Sequence, residues 1–389
     1  MFAHLPPVIG HARLATTDMA CATGLIVALY GLDVWRERPD LWRGLGLGAA
    51  VAFGTLCKFS VIPFFGVSAL ALLAGRKTTS QQGGRGRSLL AAAAVAVFLV
   101  AAVYRFQSID TTFDAPNVQA ALRGAPLPVR ELFTHMPLGQ IVRGIAEVAY
   151  HMSVGHHSYL LGRVSTGGWW YFFPVVMAYK TPLGLWLLIG AAMVLAVRNP
   201  APRTMLACAA LILCVAMTSR VDLGVRHILP IYAPLCIAAG FAVQEMLRAP
   251  RSWGGLLAVV ALLWYFDSTA RSWPDELSYF NELAGRAPER ILVESDLDWG
   301  QDLERLRLRL KAKGIEKFVL GYYGSADLAR AGLSKFTELS DHPSAGWVAV
   351  SVSYRRLADP RGAAAFAWLD AYQPVERVGT SYDLYWIPQ

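Results

Sequence analysis

Long apolar runs dominate the first two thirds of the chain, and they constrain its fold more than any other feature. Between residues 16 and 270, about eight such runs alternate with short polar loops. In the whole chain 55% of residues are hydrophobic and 16% are charged, whereas soluble domains carry about 25% charged residues. The pattern predicts an α-helical polytopic membrane protein with about eight spans, and it assigns residues 1–270 to a transmembrane domain.

The short loops predict how this domain is oriented. Four loops fall on one side of the predicted membrane and together hold eleven Arg and Lys residues; they are residues 36–43, 76–87, 198–203 and 247–252. The positive-inside rule assigns that side to the cytoplasm. The first residues, the long loop at 107–168 and everything after residue 270 are then predicted to lie outside. Because the basic residues lie in these loops, the net charge of +8 does not indicate nucleic-acid binding.

The long outer-face loop leads into an unusual membrane segment. Its stretch Val129–Met152 has apolar residues at helical spacing, which is typical of an amphipathic helix on a membrane surface or over a cavity. Aromatic residues 169–173 then begin a predicted span, Trp169–Val197, that contains Lys180. Aromatic rings favour the membrane–water interface. A lysine within an apolar helix is costly, so we expect Lys180 to face a cavity or a partner.

Residues 271–389 are predicted to form a small soluble α/β domain on the outer side. The predicted strands are Arg290–Glu294, Lys317–Tyr322 and Trp347–Ser353, with a strand or hairpin over Glu376–Ile387. The predicted helices are Gln301–Lys313 and Arg361–Ala371. The acidic stretch Ser295–Asp302 is open to two interpretations. Asp–x–Asp occurs in metal–nucleotide sites, but acidic residues also favour a helix N-terminus, and we favour the second interpretation.

Charged residues at the outer ends of the predicted spans suggest a site. His11, Arg13 and Asp18 lie at the outer end of the first span, where an acid and a cation could bind a phosphate and activate a hydroxyl. The alternative for Asp18 is a helix N-cap, although the threonines beside it could take that role. Lys58, Lys180 and Arg226 come from different segments and would suit an anionic lipid headgroup. For each cation, snorkelling to lipid phosphates is the alternative.

The outer loop also carries a histidine cluster. His151, His156 and His157 precede Tyr159 and Arg163. This spacing could hold a divalent metal, but no nearby carboxylate completes a ligand set, so hydrogen bonds to substrate or backbone are the favoured interpretation. The five cysteines all lie in apolar runs without zinc-ligand spacing. No cofactor is therefore predicted.

Several segments together resemble a known family. They are HARLATTD at 11–18, CKFS at 57–60, GHHSYLLGRVSTGGWWYFFPVVMAYKTP at 155–182, GVRHILPIYAP at 224–234, YFNELAG at 279–285 and SDLDWGQDL at 295–303. With them the chain resembles, over nearly its whole length, bacterial members of the protein O-mannosyltransferase-like group. These are glycosyltransferases of family 39, which use polyprenyl-phosphate donors and have the GT-C fold.

The resemblance implies a reaction and a site. Such enzymes move a sugar from an undecaprenyl or dolichyl phosphate to a protein or glycolipid acceptor at the outer face of the bacterial inner membrane, with inversion. Asp18 would be the catalytic base, and the donor phosphate would lie on Arg13, Lys58, Lys180 and Arg226. The substrate-binding residues would be His11, His156, His157 and Tyr159. Family members also have one or two earlier spans with an Asp–Glu outer loop, so the resemblance leads us to expect an N-terminally truncated chain.

Two other classes of function stay open. A transporter of lipid-linked sugars would explain cations within the membrane and irregular spans, and it predicts paired broken helices in two related halves. A non-catalytic membrane scaffold would use residues 271–389 to bind a partner.

Overall fold

The computed structural model describes residues 1–75, 84–107, 127, 139–248, 252–357 and 363–388. The described part is mostly helical, with a small sheet region near the C-terminus. Before residue 273 the helices are α1 (Pro6–Ala12), α2 (Asp18–Glu37), α3 (Leu41–Cys57), α4 (Val61–Gly75), α5 (Arg85–Val103), α6 (Gly139–Val154), α7 (Phe172–Lys180), α8 (Leu183–Ala196), α9 (Pro200–Ala216), α10 (Tyr232–Leu247) and α11 (Trp253–Ser272).

Several of these helices could span a membrane. By length and composition, four helical segments of the described residues qualify: Asp18–Glu37, Arg85–Val103, Val225–Leu247 and Trp253–Ser272. Helices α3, α4 and α9 are apolar but shorter. Helices α7 and α8 qualify together but are bent by 113°. The predicted membrane character is therefore confirmed at this coarser level.

The bend between α7 and α8 corrects the prediction of one continuous span over Trp169–Val197. Helix α7 ends at Lys180 and α8 begins at Leu183, with Pro182 between them. Proline has no backbone N–H and disfavours helical geometry in the residue before it, so the helix cannot continue through this point. The aromatic residues at the start of α7 also differ in exposure: Trp170 is exposed, whereas Phe172 and Phe173 are buried in the core.

Small residues allow the apolar helices α2, α3 and α5 to pack closely. A Cβ added to Gly24 of α2 would lie 2.7 Å from the Cα of Gly54 in α3. A Cβ added to Gly48 would lie 2.3 Å from the carbonyl oxygen of Ala92 in α5. Small residues at such contacts let helix backbones approach each other, which is how membrane helices gain packing energy. This packing positions the ends of α2 and α3.

The long loop is described only in its second half. Residues 129–138 of the predicted amphipathic helix lie outside the described residues, but α6 covers the remainder and exposes Ile145 and Val148. A short antiparallel hairpin follows, formed by β1 (Ser158–Leu160) and β2 (Arg163–Ser165).

The C-terminal region contains a five-stranded mixed sheet of order β4-β3-β5-β7-β6. Its strands are β3 (Phe318–Gly321), β4 (Phe336–Glu338), β5 (Gly346–Ser351), β6 (Glu376–Val378) and β7 (Tyr382–Ile387). Helix α12 (Leu303–Ala312) packs on one side of the sheet and the 3-10 segment Ala363–Ala371 on the other, while α13 (Val352–Leu357) follows β5. Strand β3 is parallel to both of its neighbours, whereas β7 is antiparallel to β5 and β6.

This sheet agrees with most of the predicted strands but not with all of them. The predicted strands at 317–322 and 347–353 and the hairpin at 376–387 are confirmed, as is the helix at 301–313. The predicted strand Arg290–Glu294 is wrong. That segment lies between the 3-10 turns Pro288–Arg290 and Glu294–Asp296 and packs its apolar side chains against the membrane helices and the hairpin. The apolar run that suggested a strand is therefore a connecting segment whose side chains are buried in the core.

Candidate functional site

Three charged side chains from separate segments meet at the N-terminal end of α2. The Nζ of Lys58 donates a hydrogen bond to the Oδ1 of Asp18 over 2.5 Å, and an Nη of Arg226 lies 4.0 Å from its Oδ2. Asp18 is 3% exposed, while the Lys58 side chain is 28% exposed. We call this cluster of Asp18, Lys58 and Arg226 the Asp18 site. It joins residues that the sequence analysis assigned to two different candidate groups.

Local structure explains why these side chains converge. Asp18 is the first residue of α2, where the helix dipole favours an acid. Thr17 occupies the N-cap position without a capping side-chain hydrogen bond, and the Asp18 carboxylate bonds Lys58 instead. The N-cap interpretation of Asp18 is therefore wrong. Lys58 lies at the end of α3, in the extended break before α4, which leaves its side chain free to turn toward Asp18.

His11 lies beside this site in a fully buried position. It belongs to the short helix α1, outside the candidate spans, and feels the charges of Lys180, Asp18 and Arg226. Neither ring nitrogen has a hydrogen-bond partner among the described residues. Burial, reinforced by the positive charge of Lys180, lowers the pKa of His11 to about 3. His11 is therefore a neutral imidazole near the carboxylate, able both to donate and to accept a hydrogen bond.

Residues of the C-terminal region complete the surroundings of Arg226. Its guanidinium carbon lies 4.6 Å from the ring centroid of Trp299, a cation–π contact. Glu294 also feels the charge of Arg226. Burial raises the pKa of Glu294, while Ser295 and Arg226 act in the opposite direction. Glu294 has a positive φ of 61°, which is rare for a residue with a side chain and is typical of functional or constrained positions.

The sequence analysis missed Trp299 and Glu294 as site residues. Both lie in or next to the stretch Ser295–Asp302, which was considered only as a metal–nucleotide motif or as a helix start. Asp302 does occupy the N-cap position of α12, as the helix-start interpretation implies. Its carboxylate, however, accepts hydrogen bonds from Thr380 and Ser381 of the neighbouring turn and none from the N-terminal backbone of α12. The one available signal for Trp299 was an aromatic residue amid acids in the predicted outer domain.

Lys180 is not part of the Asp18 site. It is fully buried, and its Nζ donates hydrogen bonds to the carbonyl oxygens of Leu277 at 3.0 Å and of Asp296 at 2.7 Å. The same Nζ lies 4.3 Å from the ring centroid of Phe280. Lys180 does face a partner, as expected, but this partner is protein backbone. The prediction that Lys180 contacts a donor phosphate is corrected, because both oxygens that it bonds belong to the chain itself.

We call the contacts around Lys180 the Lys180 junction, which comprises Lys180, Leu277, Asn281, Asp296 and the turn at Gly224. The Nδ2 of Asn281 donates to the carbonyl oxygens of Ala178 at 2.6 Å and of Thr181 at 2.8 Å. These acceptors lie at the end of α7, where the bend leaves carbonyl groups without helical partners. The segment YFNELAG therefore satisfies the backbone of the bent helix pair.

The junction also fixes the turn that carries Arg226. The Oδ1 of Asp296 accepts a hydrogen bond from the backbone N–H of Val225 over 3.0 Å. Gly224 has a φ of +90°, and a Cβ at this position would lie 2.5 Å from the Oδ2 of Asp296. Only glycine fits this turn without strain. The acidic stretch and the GVRH segment are thus in direct contact, and together they orient Arg226.

Arg13 pairs with an acid that is not part of the Asp18 site. Its two terminal nitrogens donate to both carboxylate oxygens of Glu276, at 2.7 and 3.0 Å. Such a bidentate pair uses two parallel N–H donors along one edge of the planar guanidinium. The pair ties the end of α1 to the segment after α11. The phosphate contact of Arg13 stays a prediction.

The predicted substrate-binding residues of the long loop differ in burial and in their contacts. His156 is half-buried, and its Nδ1 lies 2.8 Å from the carbonyl oxygen of His157, whereas His157 is exposed. Burial lowers the pKa of His156, and Arg226 is close enough to contribute. Tyr159 packs with Val293 and other apolar side chains, so the prediction of a substrate contact is corrected to a core position. Within the described ranges, no group of three or more His, Cys, Asp or Glu could hold a metal ion.

Comparisons with known proteins do not add to this picture. No protein-family model, no curated protein and no solved structure matches the chain.

Proposed function

We propose that this protein is a membrane glycosyltransferase that moves a sugar from a polyprenyl-phosphate donor to an acceptor hydroxyl. The observation that supports this most is the Asp18 site: a buried carboxylate, paired with Lys58 at 2.5 Å and facing Arg226, at the end of an apolar helix. Three of the segments on which the family resemblance rests, at 11–18, 57–60 and 224–234, supply these residues and His11.

The proposal assigns two roles within the site. Lys58 and Arg226 hold the donor phosphate, because cationic donors form strong charge-assisted hydrogen bonds with phosphate oxygens. Without donor they neutralise Asp18, so the buried carboxylate is paired in the resting protein. When the phosphate takes over these cations, Asp18 is released to accept a proton. The Asp18–Lys58 pair is therefore the resting state of a general base.

The reaction follows from these roles. The acceptor oxygen forms a bond to the anomeric carbon of the sugar, and the bond from that carbon to the phosphate oxygen breaks. The electron pair leaves with the polyprenyl phosphate, and the acceptor proton passes to Asp18. Attack from the side opposite the phosphate inverts the anomeric configuration. Trp299 keeps Arg226 in place by its cation–π contact, and neutral His11 supplies a hydrogen-bond donor beside the carboxylate.

The proposal extends to the location of the protein. The basic loops predict that the Asp18 end of α2 and the C-terminal region are extracytoplasmic. The protein would then be a multi-pass component of a bacterial inner membrane, with its donor in the same membrane and a protein or glycolipid acceptor outside.

The direct test uses the full chain in membranes, radiolabelled polyprenyl-phosphate mannose or glucose, and envelope proteins and lipids as acceptors. Asp18→Asn should lower transfer at least about 100-fold, since general-base catalysis contributes factors of this order. Asp267→Asn is the matched control, because Asp267 forms only an exposed surface pair with Arg271. Equal transfer by the wild type and Asp18→Asn would remove the proposed role of Asp18.

One observation favours a second function, the transport of lipid-linked sugars. The bent pair of α7 and α8 resembles the broken helices that line transporter sites. A transporter built from two related halves would have two such pairs, and the described residues contain one. Headgroup movement in liposomes that contain no acceptor would favour the transporter, whereas transfer that depends on acceptor would favour the enzyme.

A further inference from the structure

A cleft lies away from the Asp18 site, among α2, α9 and α10. It encloses about 320 Å³, which is within the range of small-molecule sites. Its lining is almost entirely apolar and includes Ile26, Leu29, Met205, Pro234, Ile237 and Phe241. Asp33 and Arg36 are the charged residues of the lining. We call this space the Arg36 cleft.

The Arg36 cleft and the Asp18 site lie toward opposite ends of the same helix. Asp18 begins α2, and Arg36 is in its last turn. At about 1.5 Å per residue, 18 residues of helix separate these positions by about 27 Å, close to the roughly 30 Å of a hydrocarbon core. The two sites therefore serve opposite membrane faces, and the cleft is not an extension of the donor site in the proposed enzyme.

Arg36 is unusual because it is buried without an adequate partner. It is 7% exposed, and its Nε has no hydrogen-bond partner within the described ranges. Its Nη contact with Asp33 is 3.5 Å, at the limit of hydrogen bonding. A guanidinium has five N–H donors, and a buried charge is costly unless it is paired and hydrogen-bonded. Arg36 thus offers unused donors at one end of an apolar cleft, which is the chemistry that binds an anion.

The dimensions of the cleft indicate what lies along its apolar part. Its α2 residues extend from Ile26 to Arg36, about 15 Å at the helical rise, which is half of a hydrocarbon core and hence the depth of one leaflet. Tyr30, on the same face, is 71% exposed, so the cleft opens sideways to where lipid chains would be. A single acyl chain fits this depth, whereas a polyprenyl chain is longer than one leaflet.

We propose that the Arg36 cleft binds an anionic phospholipid from the leaflet opposite the Asp18 site. One acyl chain lies along the apolar lining, and the phosphate accepts hydrogen bonds from Arg36. The negative phosphate complements the unused guanidinium, and the lipid fills a space at which α2 meets α9 and α10. The bound lipid is a structural component that fixes the contact between these helices.

The test measures lipid binding to the purified full chain in detergent by native mass spectrometry. Phosphatidylglycerol and phosphatidylcholine with identical acyl chains are titrated separately, and undecaprenyl phosphate is the third ligand. The wild type should bind one phosphatidylglycerol about tenfold more tightly than phosphatidylcholine, since both carry a phosphate but the quaternary ammonium of phosphatidylcholine cancels its net charge and is repelled by Arg36. Arg36→Gln should abolish the preference. Arg248→Gln is the matched control, because Arg248 is an exposed arginine paired with Glu245.

A second variant tests the binding site without changing any charge. Ala201→Trp places a large ring in the cleft lining and should remove binding of both phospholipids, while size-exclusion profiles report whether the variant stays folded. The proposal is overturned if the wild type binds both headgroups equally or if Arg36→Gln keeps the preference. Displacement of phosphatidylglycerol by undecaprenyl phosphate would assign the cleft to a prenyl lipid and would also overturn it.

Discussion

The Asp18 site and the Lys180 junction each contain a lysine and an aspartate, yet they differ in which groups accept the hydrogen bonds of the lysine. Lys58 donates to the carboxylate of Asp18, and its side chain remains 28% exposed. Lys180 donates to two backbone carbonyls and is fully buried. The carboxylate of Asp296 accepts from the Val225 backbone and not from the lysine side chain.

This difference separates a site from a structural contact. A pair of side chains that is partly open to solvent can exchange partners when a ligand arrives. A buried lysine whose protons satisfy backbone groups cannot do so without leaving those carbonyls unpaired. Replacing the lysine should therefore have different effects in the two clusters: loss of stability at the junction and loss of transfer at the Asp18 site.

The largest effect is expected for Lys180→Met. The change leaves the carbonyls of Leu277 and Asp296 buried without donors and removes the cation–π contact with Phe280, so we expect a loss of about 5 kcal/mol in the free energy of unfolding. Thermal unfolding in detergent measures this change. Lys313→Met is the control, because Lys313 forms a surface pair with Glu376 and should cost less than about 1 kcal/mol. A normal melting temperature for Lys180→Met would contradict the structural role.

Gly224→Ala should break the link between the two clusters. A Cβ at this position meets the Asp296 carboxylate at 2.5 Å, and the backbone angle is unfavourable for alanine, so we expect a loss of about 4 kcal/mol. Unfolding in detergent gives the stability, and the transfer assay reports the displacement of Arg226. Gly46→Ala is the matched change in open space within α3 and should cause no loss of stability. Unchanged stability and transfer in Gly224→Ala would show that the turn tolerates a side chain.

The buried carboxyl of Asp298 should make the stability of the C-terminal region depend on pH. Burial raises its pKa from 3.8 to about 6, although Ser351 donates a hydrogen bond to it over 2.5 Å. Because the folded pKa lies above the unfolded one, the stabilisation is complete below about pH 4 and is lost as the pH rises to about 6, by about 3 kcal/mol.

Asp298→Asn should remove this share of the pH dependence, as measured by melting temperatures between about pH 4 and pH 7. Part of the dependence should remain, because burial also raises the pKa of Asp222 to about 6. An identical pH profile in the wild type and the variant would exclude Asp298 as its source.

The smallest effect on stability is expected where the proposed chemistry lies. Lys58→Gln removes the closest partner of the buried Asp18 but leaves Arg226 nearby, so the loss should be about 2 kcal/mol, below the roughly 3–5 kcal/mol of a buried charge left without any partner. Transfer from the lipid donor should nevertheless fall about tenfold or more, since a charge-assisted phosphate contact is lost. Measuring both the transfer rate of the folded protein and its melting temperature separates the two effects. A large loss of stability with normal transfer by the remaining folded protein would reverse the comparison.

Part of this organisation could be predicted from the sequence because it depends on local patterns. A helix satisfies its own backbone groups, so apolar runs such as those after Asp18 and before Gly75 predict helices without knowledge of their neighbours. The alternation of strands and helices after residue 300 is also local, and it predicted most of the C-terminal sheet. The grouping of Asp18 with cations at one end of the apolar segments followed from where charges interrupt these runs.

The tertiary structure alone decided which charge meets which partner. Arg13 bonds Glu276, which is 263 positions away, and Lys180 bonds the carbonyl of Asp296, which is 116 positions away. Such choices depend on how helices bend and pack. The Pro182 bend turned a predicted phosphate ligand into a backbone contact, and the left-handed turn at Gly224 brought Trp299 to Arg226. Hydropathy is a property of each segment, whereas a buried charge is stable only beside the particular groups that the folded chain places around it.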